Sequence, residues 1–316
     1  MIEDPKEKTM VISELAPCFQ SLANDDHESV RISTMKTIIP LAKCISNEYN
    51  KEIVIPILIA GMKDKFWRVR YSIVERFKEL IEAFDSNIVD ELLIHPFLIL
   101  FKDPVDLIRC TAVSLIKNCT NTIDIDKIQG TILNELLKLK NDPSFKVRSK
   151  LVETLCALTP DVRREKATSD IVPVLIELLK DNSYEVKVEA FKNIQVVEKF
   201  IGTELVASGL LKILKKVINE QRWEVRCEAI GIVVYLAKTF GREYYMKNVE
   251  SIFLQFLLDD TLAVREAAIE HLYSLGDEFK SDWVMNSYIP RAIEMFTRPK
   301  QNYLCRMSIL SSVIVV

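Results

Sequence analysis

Hydrophobic residues recur along this chain at the intervals expected of amphipathic helices. An apolar run from residue 53 to 62 is followed by a polar stretch around Asp64 and then by a second apolar series. Intervals of four, four, three and one residues place that second series on one face of a helix. Its members are Val69, Ile73, Phe77, Leu80 and Ile81. The pattern predicts two helices joined by a short polar turn.

The same two-helix pattern returns with a period of 39 residues. Each copy has an acidic residue, followed six positions later by a basic residue that Val or Ile precedes. Seven copies follow without a gap: Asp25/Arg31, Asp64/Arg70, Asp103/Arg109, Asp142/Arg148, Asp181/Lys187, Glu220/Arg226 and Asp259/Arg265. The same register contains Pro17, Pro56, Pro173 and Pro290, with His95 and Pro96 at that site in the third repeat. We predict an all-α fold, an α-α superhelix of about eight helical hairpins.

Such hairpins cannot bury their apolar stripes alone, so we expect one continuous solenoid over residues 1–316. The last apolar segment, residues 307–316, falls inside the predicted second helix of the eighth repeat. We therefore expect a solenoid that is truncated at its C-terminal end, either as a fragment or as a naturally shortened scaffold.

The recurring acid and base have a structural explanation. An acidic side chain just before the second helix can cap it and suits the positive end of its dipole. We expect the acid and the arginine to form a hydrogen-bonded ladder between successive turns. Lys187 lacks the planar fork of arginine and should weaken its rung. The recurrent proline should bend the first helix of each repeat.

Composition excludes several functional classes. The 42 basic and 45 acidic residues leave a net charge of −3, which creates no general attraction for nucleic acid. The longest uncharged apolar runs are ten residues, whereas a membrane span needs about 20. The acidic start MIEDPKEK does not resemble a signal peptide. The seven cysteines include no C-x-x-C pair, and we expect thiols in a cytoplasmic protein, with the nucleus left open as a second location.

Catalytic and cofactor motifs are absent from the sequence. No two of the seven glycines lie within six residues, which excludes the common glycine-rich phosphate loops. His27, His95 and His271 lie in different repeats, so no local paired-histidine metal site can form. Adjacent acids such as Asp25 and Asp26 recur at turns, where capping explains them. We predict a protein that is not an enzyme and needs no metal, cofactor or small-molecule substrate.

A 39-residue helical hairpin with these markers resembles a HEAT repeat. The segments DKFWRVRY (64–71) and QRWEVRCEAI, LLDDTLAVREAA and NYLCRM (within 221–307) resemble the scaffold (A) subunit family of protein phosphatase 2A. The similarity extends through LANDDHESVR (22–31) and corresponds to the sixth to thirteenth of that family's fifteen repeats. It implies a non-catalytic scaffold whose intra-repeat turns bridge a regulatory B subunit to a phosphatase catalytic subunit.

The resemblance also implies binding residues. Positions that match contacts with the regulatory B subunit are Trp67, Arg68, Asp103 and Asp106. Positions that match contacts with the catalytic subunit are Trp223, Glu224, Leu262, Tyr303 and Leu304. Two departures should weaken binding of the catalytic subunit: Glu224 replaces a usually basic residue, and the 41-residue step from Arg265 to Arg306 implies a two-residue insertion.

The residues independently indicate a partner-binding edge. The position three after the acidic residue is aromatic in four repeats, at Trp67, Phe145, Tyr184 and Trp223. Large amphipathic side chains aligned on turns are typical of binding hot spots. The alternative is that these rings pack between adjacent hairpins, and that Arg68 is a solvated surface charge. Other functional hypotheses are a nuclear-transport or trafficking adaptor that recognises cargo on its concave face, and, ranked last, an enzyme with an unfamiliar site.

Overall fold

The computed structural model describes residues 11–201, 203–298 and 302–316, without the side chains of 11–12 and 194–208. Within these ranges all regular secondary structure is helical, and the fold is a repeat helical solenoid, which confirms the predicted fold class. The chain divides into two compact units, Met1–Ala167 and Thr168–Val316. No helix in the described ranges is both long and apolar enough to cross a membrane.

The first unit contains four helical hairpins in register with the sequence repeat. Its main helices are α1 (Ala16–Ala23), α2 (Glu28–Cys44), α3 (Ile55–Met62), α4 (Trp67–Val74), α5 (Phe77–Ile81), α6 (Ile94–Ile99), α7 (Asp106–Ile116), α8 (Leu133–Lys138) and α9 (Phe145–Leu158). The apolar faces predicted from the spacing are buried, and Val69, Ile73 and Phe77 are fully shielded from solvent. Phe77 stacks on Phe97, with ring centroids 3.8 Å apart, which joins two successive hairpins in the core.

The second unit continues the same repeat. Its main helices are α10 (Val172–Leu178), α11 (Tyr184–Ile201), α12 (Thr203–Val217), α13 (Trp223–Tyr244), α14 (Glu250–Leu257), α15 (Leu262–Trp283), α16 (Ile289–Thr297) and α17 (Tyr303–Val315). An aromatic cluster of Tyr245, Phe279, Trp283 and Tyr288 lies in its core, and the Tyr245 and Trp283 ring centroids are 5.8 Å apart. These rings connect the seventh and eighth hairpins.

A π-helical turn interrupts the first helix of most repeats. These turns are Val11–Leu15, Asn50–Val54, Val89–Leu93, Ile128–Ile132, Ala167–Ile171, Tyr245–Val249 and Val284–Tyr288. The recurrent prolines lie at the start of the α-helical segment that follows, where a missing N–H costs least. The same turn forms at Ile128–Ile132, where Asn134 occupies the proline register. The interruption is therefore a property of the repeat that proline fits but does not create.

Two equivalent residues turn the chain sharply between repeats in the second unit. Gly241 in α13 has a φ of 80°, and Lys280 in α15 has a φ of 67°. They lie 39 residues apart, so the same kink is made once by a glycine and once by a side-chain-bearing residue. Positive φ with extended ψ is a region that glycine adopts far more readily than lysine.

Candidate protein-interaction surface

The intra-repeat turns are built around the recurring acidic residue. In the six repeats where this residue is aspartate, its carboxylate accepts the backbone N–H two residues later, as Asp64 does from Phe66 at 2.8 Å and Asp142 from Ser144 at 2.9 Å. Phe66 and Ser144 are themselves the N-cap residues of the second helices. The acid therefore closes an Asx turn before the helix, and the expectation that it caps the helix directly is wrong by two residues.

The predicted ladder is present in the first unit. Arg109 donates from Nε and Nη2 to the two carboxylate oxygens of Asp142, at 2.7 and 2.8 Å, across 33 residues. Its Nη1 donates to the carbonyl oxygen of Asp103 in its own repeat at 2.6 Å. Arg31 with Asp64 and Arg70 with Asp103 form the same bidentate contact. Each arginine thus ties its own turn to the next.

The contact with Arg31 changes the acidity of Asp64. Burial alone would raise the pKa of Asp64, but hydrogen bonds from Arg31 and from the backbone N–H of Phe66 outweigh it. The pKa of Asp64 therefore lies below its ordinary value. The ladder holds this carboxyl ionised and immobile, which suits a structural part better than a proton-transfer site.

The rungs of the second unit are less uniform. Lys187 makes a single contact, from Nζ to Oε2 of Glu220 at 2.6 Å, whereas Arg226 donates hydrogen bonds to both carboxylate oxygens of Asp259 at 2.7 and 2.8 Å. Arg265 donates to the hydroxyl of Ser308 at 2.9 Å in place of a carboxylate. The lysine rung thus lacks the fork contact, as its chemistry led us to expect.

The two aromatic side chains that the spacing assigned to turns of the first unit occupy the same structural position. Trp67 and Phe145 are each the first residue of a second helix, directly after the N-cap. Trp67 remains 36% exposed and Phe145 38%, so neither is absorbed into the core between hairpins. Arg68 lies 5.1 Å from the centre of the Trp67 ring and pairs with Glu28 at 3.4 Å, which steadies an otherwise exposed side chain.

The second unit presents the same position four times. Tyr184, Trp223, Leu262 and Tyr303 begin α11, α13, α15 and α17. Trp223 is 43% exposed and Tyr303 64%. Tyr184 is half-buried beneath the guanidinium of Arg222, 4.7 Å from its ring centre. A row of apolar and aromatic groups therefore lies on the turns of this unit, where a partner protein can cover it.

Not every candidate contact residue is available at the surface. Asp103 is only 6% exposed, and its carboxylate is engaged by Arg70 and by the backbone N–H of Val105. Asp106 is half-buried and accepts a hydrogen bond from the Ser144 hydroxyl at 3.0 Å. The carboxylate of Asp103 therefore serves the ladder and offers little surface to a partner.

The remaining candidates for contacts with a catalytic subunit lie at the same turns. Glu224 is half-buried, and one of its carboxylate oxygens has no hydrogen-bond partner within the described part of the chain. Leu262 and Leu304 are exposed. The start of α17 follows that of α15 by 41 residues, in keeping with the expected two-residue insertion, although residues 299–301 lie outside the described residues.

The sequence pattern did not identify two features of this surface, one at a turn and one on a helix. Phe66, beside Trp67, is 39% exposed, and the cationic groups of Arg31 and Lys65 lie 5.4 and 5.2 Å from its ring centre. A lysine cluster on α12 was also missed, although the segment KILKK (212–216), which contains no acid, signals it. In the described residues no group of three His, Cys, Asp or Glu side chains could hold a metal ion.

Comparison with known proteins shows similarity to helical-repeat proteins. The regulatory (A) subunit of protein phosphatase PP2A from Schizosaccharomyces pombe is 30% identical over 83 residues, which is 26% of this chain and 14% of that protein. The crystal structure of Kap121p bound to Ste12p matches 96% of this chain and 33% of that chain, with a TM-score of 0.66 and 13% identity. At that identity the structural match shows the fold alone. The chain spans 14% of the length of the phosphatase subunit and 33% of that of the Kap121p chain.

A family model for helical repeats matches a longer part of the chain. It covers residues 85–274, which is more than half of the sequence and includes parts of both units. The period of 39 is longer than the repeat of about 34 typical of TPR proteins and closer to the repeat of about 40 found in HEAT proteins. By this match the chain belongs to the family described as dynein axonemal assembly factor 5-like, TPR repeats.

Proposed function

We propose that this chain is a non-catalytic scaffold that holds partner proteins against its intra-repeat turns. The observation that carries the proposal is the exposure of Trp67 and Trp223 at the first position of their helices. A tryptophan that is partly exposed on a rigid turn loses little conformational entropy on binding and buries a large apolar area. The ladder of arginine–aspartate contacts between successive turns holds these turns rigid.

The partners that we propose are a regulatory B subunit and the catalytic subunit of a phosphatase 2A-type enzyme. The local match to the regulatory (A) subunit of PP2A supports this assignment, as do the motifs around Trp67 and Trp223. In this arrangement Trp67 and Arg68 contact the B subunit, while Trp223, Leu262 and Tyr303 contact the catalytic subunit. Holding the enzyme and the substrate-selecting subunit on one chain raises their effective concentration and lowers no chemical barrier.

A pull-down with recombinant phosphatase catalytic and B subunits tests this assignment. We expect Trp223→Ala to weaken capture of the catalytic subunit, whereas Trp67→Ala should weaken only capture of the B subunit. Phe145→Ala is the matched control, because Phe145 has the same helix position and similar exposure but no assigned partner. Equal capture of both subunits by all three variants and the parent chain would overturn the assignment.

A second candidate function is an adaptor or assembly factor with other clients. The family match favours clients related to axonemal dynein assembly, and a solenoid with the fold of Kap121p suits a nuclear-transport or trafficking adaptor. Capture of a small GTPase, a cargo peptide or a subunit of axonemal dynein, with no phosphatase subunit retained, would favour this candidate. The same tryptophan variants then report which turn binds the client.

A further inference from the structure

A cavity of about 560 Å³ in the second unit is lined mainly by basic side chains. It lies between the turn that leads into α11 and the end of α12. The charged groups around it are Lys180, Lys187, Lys212, Lys215, Lys216 and Glu220. Its volume falls within the roughly 300–1,000 Å³ typical of ligand-binding pockets. We call this cavity the basic pocket.

The first unit contains an equivalent cavity two repeats earlier, in which basic and acidic side chains are equal in number. Its volume is about 480 Å³, and its residues Lys102, Arg109 and Lys138 face Asp103, Glu135 and Asp142. Arg109 is held by both oxygens of Asp142, and Glu135 pairs with both Lys138 and Lys102. Hydrogen bonding from Lys138 is the main cause of the lowered pKa of Glu135. We call this second cavity the neutral pocket.

One replacement removes the central acid of the neutral pocket. When the sequence is aligned with itself at a shift of two repeats, or 78 residues, Glu135 corresponds to Ile213 and Lys138 to Lys216. Lys216 therefore lacks the glutamate that neutralises its counterpart. Among the described residues only Lys187 of the five pocket lysines has a carboxylate partner, and that partner is Glu220 at 2.6 Å.

Two further replacements add positive charge to the same pocket. Asn134 corresponds to Lys212, and Leu137 corresponds to Lys215. Lys212, Lys215 and Lys216 are all exposed, so their ammonium groups are accessible from solvent. Lys212, Lys215 and Lys216 are three and four residues apart on one helix, so their like charges are neighbours that repel one another, and a bound anion relieves that repulsion.

The lining also selects the kind of anion. Leu179, Ile213 and Val217 lie nearly buried beneath the lysines, and together with the methylene chains of the lysines they give the pocket an apolar floor. A simple phosphate or a nucleic acid backbone would leave that floor unused, whereas a peptide with carboxylate and aliphatic side chains contacts both surfaces. The pocket lies between the turns that carry Tyr184 and Trp223, next to the proposed partner-binding row.

We propose that the basic pocket binds an acidic segment of a partner protein, with carboxylates on Lys212, Lys215 and Lys216 and an aliphatic side chain on the apolar floor. This inference rests on the proposed scaffold function and adds the chemistry of one partner segment. The loss of Glu135 at its counterpart Ile213 is the decisive difference, because a single glutamate neutralises two lysines in the first unit.

Fluorescence anisotropy with a labelled glutamate- and leucine-rich peptide tests the proposal on the full chain. We expect saturable binding that weakens as salt is added, and no binding of the peptide in which glutamine replaces glutamate. The double variant Lys212→Gln/Lys216→Gln should weaken binding by about tenfold or more. Ile213→Glu, which copies Glu135, should have the same effect. Lys102→Gln/Lys138→Gln in the neutral pocket is the matched control and should bind like the parent chain.

Several results would overturn the proposal. Unchanged peptide binding by Lys212→Gln/Lys216→Gln would do so even if Ile213→Glu failed to fold, which circular dichroism would reveal. Tighter binding of inositol hexakisphosphate or of a single-stranded oligonucleotide than of the peptide would also reject a protein segment as the occupant. Because no phosphatase subunit is present in this assay, its failure is distinguishable from failure of the pull-down with Trp223→Ala.

Discussion

Replacing Arg109 by alanine removes one of the fully hydrogen-bonded rungs of the first unit. Its guanidinium contacts both oxygens of Asp142 and two backbone carbonyl groups, those of Asp103 and Pro104. The side chains of Arg109 and Asp142 are only 9% and 4% exposed. The variant leaves the Asp142 carboxylate buried, with the backbone N–H of Ser144 still donating to it but the arginine fork lost.

The expected cost follows from this burial. Removing one partner of a buried ion pair typically destabilises a protein by about 3–5 kcal/mol, because the other charge stays buried without compensation. Arg109→Lys should cost less, about 1–3 kcal/mol, because one ionic contact survives while the fork and the carbonyl contacts are lost. The Lys187 rung provides the matched comparison. Its pair is 16% and 26% exposed and makes one contact, so Lys187→Ala should cost about 1 kcal/mol.

Urea unfolding followed by circular dichroism, together with hydrogen exchange, measures these differences. Because stacked repeats can unfold in parts, local exchange is the sharper measurement. We expect Arg109→Ala to accelerate exchange in α7 and α9, and Lys187→Ala to have a much smaller effect on α11. Equal losses of stability in the two alanine variants would refute the argument that burial and the bidentate contact set the strength of a rung.

Two further predictions concern backbone strain and thiol reactivity. Lys280→Gly should raise the free energy of unfolding by about 1 kcal/mol, because it relieves a positive φ, whereas Gly241→Ala at the equivalent kink should lower it. Thermal unfolding of both variants measures this difference, and a loss of stability in both would contradict the prediction. Burial raises the pKa of Cys119 to about 12, so at pH 8 this thiol should resist a disulfide reagent while exposed Cys18 reacts, as mass mapping of the labelled protein would show; rapid labelling of Cys119 in the folded chain would contradict the burial.

Much of the architecture followed from the order of residues alone. The hairpins, their period and the pairing of Arg109 with Asp142 could be predicted because each repeat places the same side chains in the same local geometry. The π-helical turns could not, because they form with proline at Pro56 and without it beside Asn134. Backbone choices of this kind depend on how neighbouring hairpins pack.

The candidate site also combines features that the sequence predicted with features that only the structure revealed. The periodic spacing identified Trp67 and Trp223 as turn residues, but only the structure showed that they stay partly exposed while Asp103 is buried in the ladder. The sequence shows that lysines occur at 212, 215 and 216, yet not that they lack acidic partners in the described part of the chain.

The sequence by itself determined the helical repeat, its register and the chemistry of each turn, because these depend on spacing within one hairpin. The tertiary structure decided which side chains remain accessible and which charges are neutralised. Those properties depend on contacts between residues about one repeat apart, such as Lys187 with Glu220. A charged side chain that pairs with an opposite charge on the next hairpin is neutralised, whereas one without such a pair can bind a partner protein.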